Sequence, residues 1–181
     1  MFEIIKQDIL KYFFMYIGQG SRLAAIAFFL SFLVLGWYAG TYGEGRFFGA
    51  GVWFKAFVTA LLTLYVYTVI GITLLSRTSD PARVVNLRLF SSFDSTVVDP
   101  RYVYENLLLF VPFGILLYLL ADLFRHAWVM FLVGFLCSLA IEVVQLVTGL
   151  GCFILDDILT NVTGMMAAYL VCRLLDWRSS S

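Results

Sequence analysis

Apolar residues fill this chain in long runs, and the few charges fall almost entirely between them. A helix needs roughly 20 apolar residues to cross about 30 Å of hydrocarbon. Runs of that length predict spans at residues 23–42, 56–76, 102–121, 127–148 and 156–172. Arg22 and Glu44 bracket the first, and Lys55 and Arg77 the second. Ahead of them, Phe2, Ile5, Ile9, Tyr12, Phe13 and Tyr16 recur at helical spacing, while Lys6, Gln7, Asp8 and Lys11 fall on other faces. That segment, residues 1–20, reads as an amphipathic helix lying at the membrane interface. The predicted fold is all-α: a polytopic membrane bundle of about five transmembrane helices preceded by the interfacial helix, in a single membrane domain over residues 1–181.

Composition agrees with the pattern. The chain is 62% hydrophobic and 13% charged with a mean hydropathy of +0.93, against roughly 45 to 50% apolar and 25% charged in a soluble domain. Such a chain needs lipid around it, so a multi-pass protein of the cell membrane is expected, with membrane lipids as partners. Lys plus Arg and Asp plus Glu each total 12, which leaves no basic footprint for nucleic acid. Cys137, Cys152 and Cys172 give neither a disulfide framework nor a zinc spacing. Glu3, Lys6, Gln7, Asp8 and Lys11 interrupt the apolar region that a cleavable signal peptide requires, so the N-terminus is expected to be retained.

Small residues and one proline mark helix contacts. Gly36 and Gly40 form a GxxxG on the first span, and Gly164 with Ala168 a small-xxx-small pair on the fifth. In lipid such residues let helix backbones approach closely. Both are read as packing within the chain, with a homodimer through Gly36 and Gly40 as the alternative. Pro112 removes a backbone hydrogen bond in the middle of the third span, near Gly114, and a kink is expected there.

Glu105, Asn106, Glu142, Gln145, Asp156, Asp157 and Asn161 are out of place in spans this apolar, because a carboxylate in a membrane costs several kcal/mol unless paired or wet. Connectivity brings them together. Glu105 and Asn106 open the third span on the side of the long loop 77–101, Glu142 and Gln145 end the returning fourth, and Asp156 to Asn161 open the fifth. All reach one membrane face, where the loop arginines Arg77, Arg83, Arg88 and Arg101 also lie. Two readings stand: a self-satisfied network in which the aspartates cap the fifth helix, or a pocket for a polar headgroup or ion. His126, beside Arg125 in a short loop at the other face, reads as an interfacial residue. No nucleophile triad, glycine-rich phosphate loop or paired-His metal motif is present, and no cofactor or metal is expected.

These same residues carry a family resemblance. Asn106-Leu-Leu-Leu-Phe110-Val-Pro112-Phe-Gly114 resembles the N-x-x-x-F-x-P-F-G segment of the VanZ-like membrane proteins. Ser138-x-x-x-Glu142-x-x-Gln145 is similar to their fourth-helix motif, and Asp156-Asp157-x-x-x-Asn161-x-x-Gly164 to their D-D-x-x-x-N-x-x-G motif. Asn86-Leu-Arg-Leu-Phe90 is similar to their N-L-x-P-F segment without its proline. The resemblance covers about residues 83–175. It implies a cell-envelope protein of a Gram-positive bacterium and a link to glycopeptide antibiotic resistance, teicoplanin in particular, through a lipid-linked cell-wall precursor or lipoglycopeptide ligand.

Three function classes follow: a non-catalytic binding factor, a membrane enzyme acting on a lipid headgroup, and a small lipid transporter. Polar residues crowded at one face disfavour transport, which needs them across the whole thickness. Turnover would rest on Glu142, Asp156 and Asp157, the only acid/base candidates at the pocket. The reading leans to binding. Lys6, Lys11, Arg22, Arg77, Arg83, Arg88 and Arg101 outnumber Arg46, Lys55, Arg125, Arg173 and Arg178 on the other side, which predicts a cytoplasmic pocket.

Overall fold

The computed structural model describes residues 2–42, 50–75, 84–93 and 101–179. Five of its helices are long and apolar enough to cross a membrane. They are α1 (Phe2–Tyr42), α2 (Ala50–Ile70), α3 (Arg101–Leu120), α4 (Ala127–Thr148) and α5 (Leu155–Ser179). The protein is therefore a helical membrane bundle. Leu30, Val34, Trp37, Phe57, Leu136 and Leu170, among many large apolar side chains, are exposed; in lipid this is the solvated surface, and no aqueous penalty attaches to it.

The N-terminal helix continues into the first span without a break, giving 41 residues of α1. Gly18 and Gly20 do not interrupt it. Gly20 instead admits Leu64 and Tyr67 of α2, and Gly71 admits the ring of Tyr16. Of the apolar stripe from Phe2 to Tyr16, the side chains from Phe2 to Phe13 lie outside the described residues, and Tyr16 is buried. Further along, Phe32, Val52 and Ala56 form the α1/α2 core. Gly36 is buried whereas Gly40 is exposed.

The most extensive contacts join α1 to α2 and α3 to α5, with α4 on the other flank of α5. Glycine sets the α3/α5 crossing. A methyl group at Gly164 would strike the backbone carbonyl of Leu107, and one at Gly114 would lie 2.9 Å from the Ala168 methyl and 3.1 Å from the Met165 carbonyl. A second core, Phe110, Leu117, Met130 and Met165, fills the space among α3, α4 and α5. Pro112 sits inside a continuous α3, and the Tyr65 hydroxyl of α2 donates to the Leu109 carbonyl nearby. A polar group arriving at a proline is one way a membrane helix satisfies backbone that proline disturbs.

The last turn of α2 widens into a π-helix, Gly71–Leu75. Beyond it, β1 (Val85–Asn86) pairs in parallel with β2 (Phe153–Ile154), immediately before α5. The Phe153 amide extends the pairing to the Val84 carbonyl at 3.0 Å. The described part of the long loop, residues 84–93, is thus held to the start of α5 by backbone hydrogen bonds.

Candidate functional site

The polar residues are distributed over a small number of definite jobs at one end of α4 and α5. Asp156 is fully buried. Its Oδ1 accepts the Phe90 amide at 2.7 Å. Its Oδ2 accepts the Ser92 amide at 2.8 Å and the Ser91 hydroxyl at 3.2 Å. Phe90 has a positive φ of 63°, uncommon for a residue with a Cβ, and the carboxylate holds the turn in which it occurs. Asn86 braces that turn: its Nδ2 donates to Ser91 Oγ at 2.9 Å, and its Oδ1 accepts the Arg88 amide at 3.0 Å.

Glu142 and Gln145, three residues apart on α4, share a face and are both buried. Oε2 of Glu142 accepts the Ile154 amide at 2.8 Å, so this carboxylate fixes the start of α5. Gln145 Nε2 donates to the Thr73 carbonyl at 2.9 Å. That carbonyl belongs to the π-helical turn, where the hydrogen-bond register shifts, and the amide side chain ties the end of α2 to α4. At the end of α4, Gly149 takes the left-handed conformation with φ 70° and closes the helix.

Deeper in the membrane, Asn161 Nδ2 donates to Ser138 Oγ at 2.9 Å across α4 and α5. A methyl at Gly134 would meet Met165 Sδ at 2.8 Å. These two pairings fix an antiparallel register: one turn toward the Glu142 end, the same register sets Glu142 level with Asp157. Asp157 is half-buried. Glu105 and Asn106 are half-buried on α3; the α3/α5 crossing at Leu107 and Gly164 puts Asn106 within about a turn of the Asn161 level. Of the long-loop arginines, Arg88 is exposed, and the side chains of Arg77, Arg83 and Arg101 lie outside the described residues.

Several participants carry no obvious mark in the sequence. Ser91, Ser92 and the backbone of Phe90 and Ile154 act through local conformation. Thr73 contributes a carbonyl, which no side-chain pattern reveals. Ser138 and Asn86 were legible only as motif positions. At the opposite face a second polar cluster forms: Tyr118 donates to Asp176 Oδ2 at 2.6 Å. Arg125 lies 3.5 Å from the same oxygen and 3.2 Å from Asp122, with its guanidinium 5.5 Å from the Tyr118 ring centre. His126 beside it is exposed, as an interfacial residue should be.

No curated protein matches the chain. No solved structure matches it either. The family model VanZ/LLP1 matches residues 52–176, from the first turn of α2 almost to the end of α5, and so takes in every residue of the polar end described above. The chain belongs to the VanZ/LLP1 family.

Proposed function

We propose that this protein is a multi-pass protein of a Gram-positive cell membrane whose α4/α5 end binds the polar headgroup of a lipid-linked cell-wall precursor or of a lipoglycopeptide, and that this binding contributes to teicoplanin resistance. The supporting observation is the placement of Glu142, Gln145, Asp156 and Asn161, all buried, at one end of two adjacent spans. Buried polar groups at membrane depth cost several kcal/mol each unless they find partners, and their confinement to one end favours a site over scattered helix contacts. Asp156 is committed to the loop turn through both oxygens. We take Glu142, which also holds the Ile154 amide, with Asp157 and Asn161 as the residues that face a ligand, and Glu105, Asn106 and Gln145 around them. Binding, not turnover, fits this set: carboxylates and amides recognise the hydroxyl and amine donors of a sugar or peptide headgroup.

Thermal shift of the purified protein in nanodiscs, with lipid-linked precursor or teicoplanin added, tests the proposal. A ligand bound only by the folded state raises apparent stability by mass action. The Asp157→Asn variant is expected to remain folded and to lose that rise. Formation of a product from the lipid, abolished by the same substitution, would replace binding by catalysis. Exposed Arg88, replaced by cysteine, reports the side of the membrane: protection from an impermeant thiol reagent in intact cells is expected for a cytoplasmic site.

A further inference from the structure

We infer that the loop segment 84–93 is a membrane-inserted turn whose apolar side chains lie in the bilayer interface and whose Arg88 engages lipid phosphates. This contact does not depend on what the α4/α5 end binds. The segment has an inverted side-chain pattern. Its polar residues face inward: Ser92 is 0% exposed, Ser91 is buried and Asn86 is half-buried. Its leucines face outward, Leu87 being 63% and Leu89 53% exposed, with Val84 and Val85 exposed beside them. A turn in water is arranged the other way round, and a contiguous exposed apolar patch marks a surface that meets an apolar partner.

Level, hydrogen bonding and charge identify that partner as lipid. β1 pairs with Phe153–Ile154, which lies between the span that ends at Thr148 and the span that begins at Leu155. The segment is therefore held where two spans leave the bilayer. The lipid-facing surface of the bundle reaches the same level through exposed Val144 and Val147 of α4 and Leu159 of α5. Backbone amides are costly away from water unless they are bonded within the protein. Here the Arg88 amide donates to Asn86, and the Phe90 and Ser92 amides donate to Asp156. A turn with its donors tied inward and its leucines outward suits a medium of low polarity. Arg88 is exposed between the two leucines and makes no ion pair among the described residues. An arginine lays its aliphatic stem along apolar surface while its head stays in water, and its planar guanidinium pairs with phosphate oxygens. Apolar residues interleaved with a cation are the combination by which a segment binds in the interface plane.

Depth measurement by spin labelling tests the insertion. Leu87 or Leu89 is replaced by p-acetylphenylalanine, which leaves the native cysteines in place, and a nitroxide is attached there. The full-length protein is reconstituted into nanodiscs of phosphatidylcholine and phosphatidylglycerol, with an unchanged melting temperature as the check of folding. Collision with oxygen, which concentrates among acyl chains, is compared with collision with a water-soluble nickel chelate. Labels at Leu136, exposed in the middle of α4, and at Asp122, 89% exposed, supply the lipid and water references. The oxygen-to-nickel ratio at Leu87 and Leu89 is expected to lie nearer that of Leu136. A ratio nearer that of Asp122 overturns the insertion. Low collision with both reagents together with spin–spin broadening also overturns it, because a second copy of the chain would then cover the patch. Arg88→Glu sets a carboxylate against the phosphates and is expected to shift the Leu89 ratio toward water, whereas Arg88→Lys should leave it in place. An unchanged ratio in Arg88→Glu overturns the phosphate contact. In permeabilised cells Arg88→Cys, at the phosphate level, is expected to react with an impermeant thiol reagent faster than Leu89→Cys; the reverse order overturns the placement of Arg88.

Discussion

Asp156 and Asp176 lie on the same helix near opposite faces of the membrane, and they are satisfied by different physics. Asp156 is wholly buried and takes its hydrogen bonds from a turn 64 to 66 residues earlier in the chain. Asp176, its side chain 39% exposed, shares Arg125 with Asp122, itself 89% exposed, and accepts the Tyr118 hydroxyl. At the first end the donors are backbone and short hydroxyls fixed by conformation; at the second they are a long flexible cation and a phenol. Buried, geometry-dependent acceptors cannot be re-solvated cheaply, whereas exposed ion pairs contribute about 0 to 1 kcal/mol. The polar end at α4/α5 is built, and the opposite cluster is surface electrostatics.

Asp156→Ala is the sharpest way to break that contrast. It strands the Phe90 and Ser92 amides and the Ser91 hydroxyl, and should cost about 3 kcal/mol or more, seen as a lower melting temperature in nanodiscs with faster amide exchange across residues 84–93. Gly164→Ala follows. The added methyl meets the Leu107 backbone, which cannot rotate away, so about 2 kcal/mol should be lost and both ends of the α3/α5 pair should loosen together. Asp176→Asn keeps an acceptor for Tyr118, removes the charge that pairs with Arg125 and leaves the Arg125–Asp122 pair in place; a change within about 1 kcal/mol is expected. A larger loss would make the two ends alike. His126→Ala, at an exposed position, should stay within about 0.5 kcal/mol, and Asn106→Leu should exceed it in a teicoplanin-susceptibility assay.

The spans were legible because hydropathy is a sum over many residues and tolerates local error. The convergence of Glu142, Gln145, Asp156 and Asn161 was also legible, since alternating crossings dictate which ends share a face. What each residue does there was not. Asp156 and Asp157 are neighbours in sequence, yet a helix turns about 100° per residue, and one carboxylate is buried in a loop turn while the other residue is half-buried. Ser92 looks like an ordinary loop position but is fully buried with its amide on Asp156, because a backbone turn with Phe90 at positive φ is not encoded by residue type alone. The N-terminal segment runs into the first span as one helix, and Gly20 lets Leu64 and Tyr67 of α2 pack closely against it.

The two-residue strand pairing has a consequence for how the chain is made. Val85 and Asn86 cannot find Phe153 and Ile154, nor Phe90 find Asp156, until some 66 further residues have been added. At about 5 to 20 residues per second, translation takes roughly 3 to 13 s to supply them. During that interval two more spans must enter the bilayer while the Phe90 and Ser92 amides wait without the Asp156 carboxylate. Assembly of the polar end thus waits for α5, and a chain stopped before α5 would have its first spans inserted and this polar end absent.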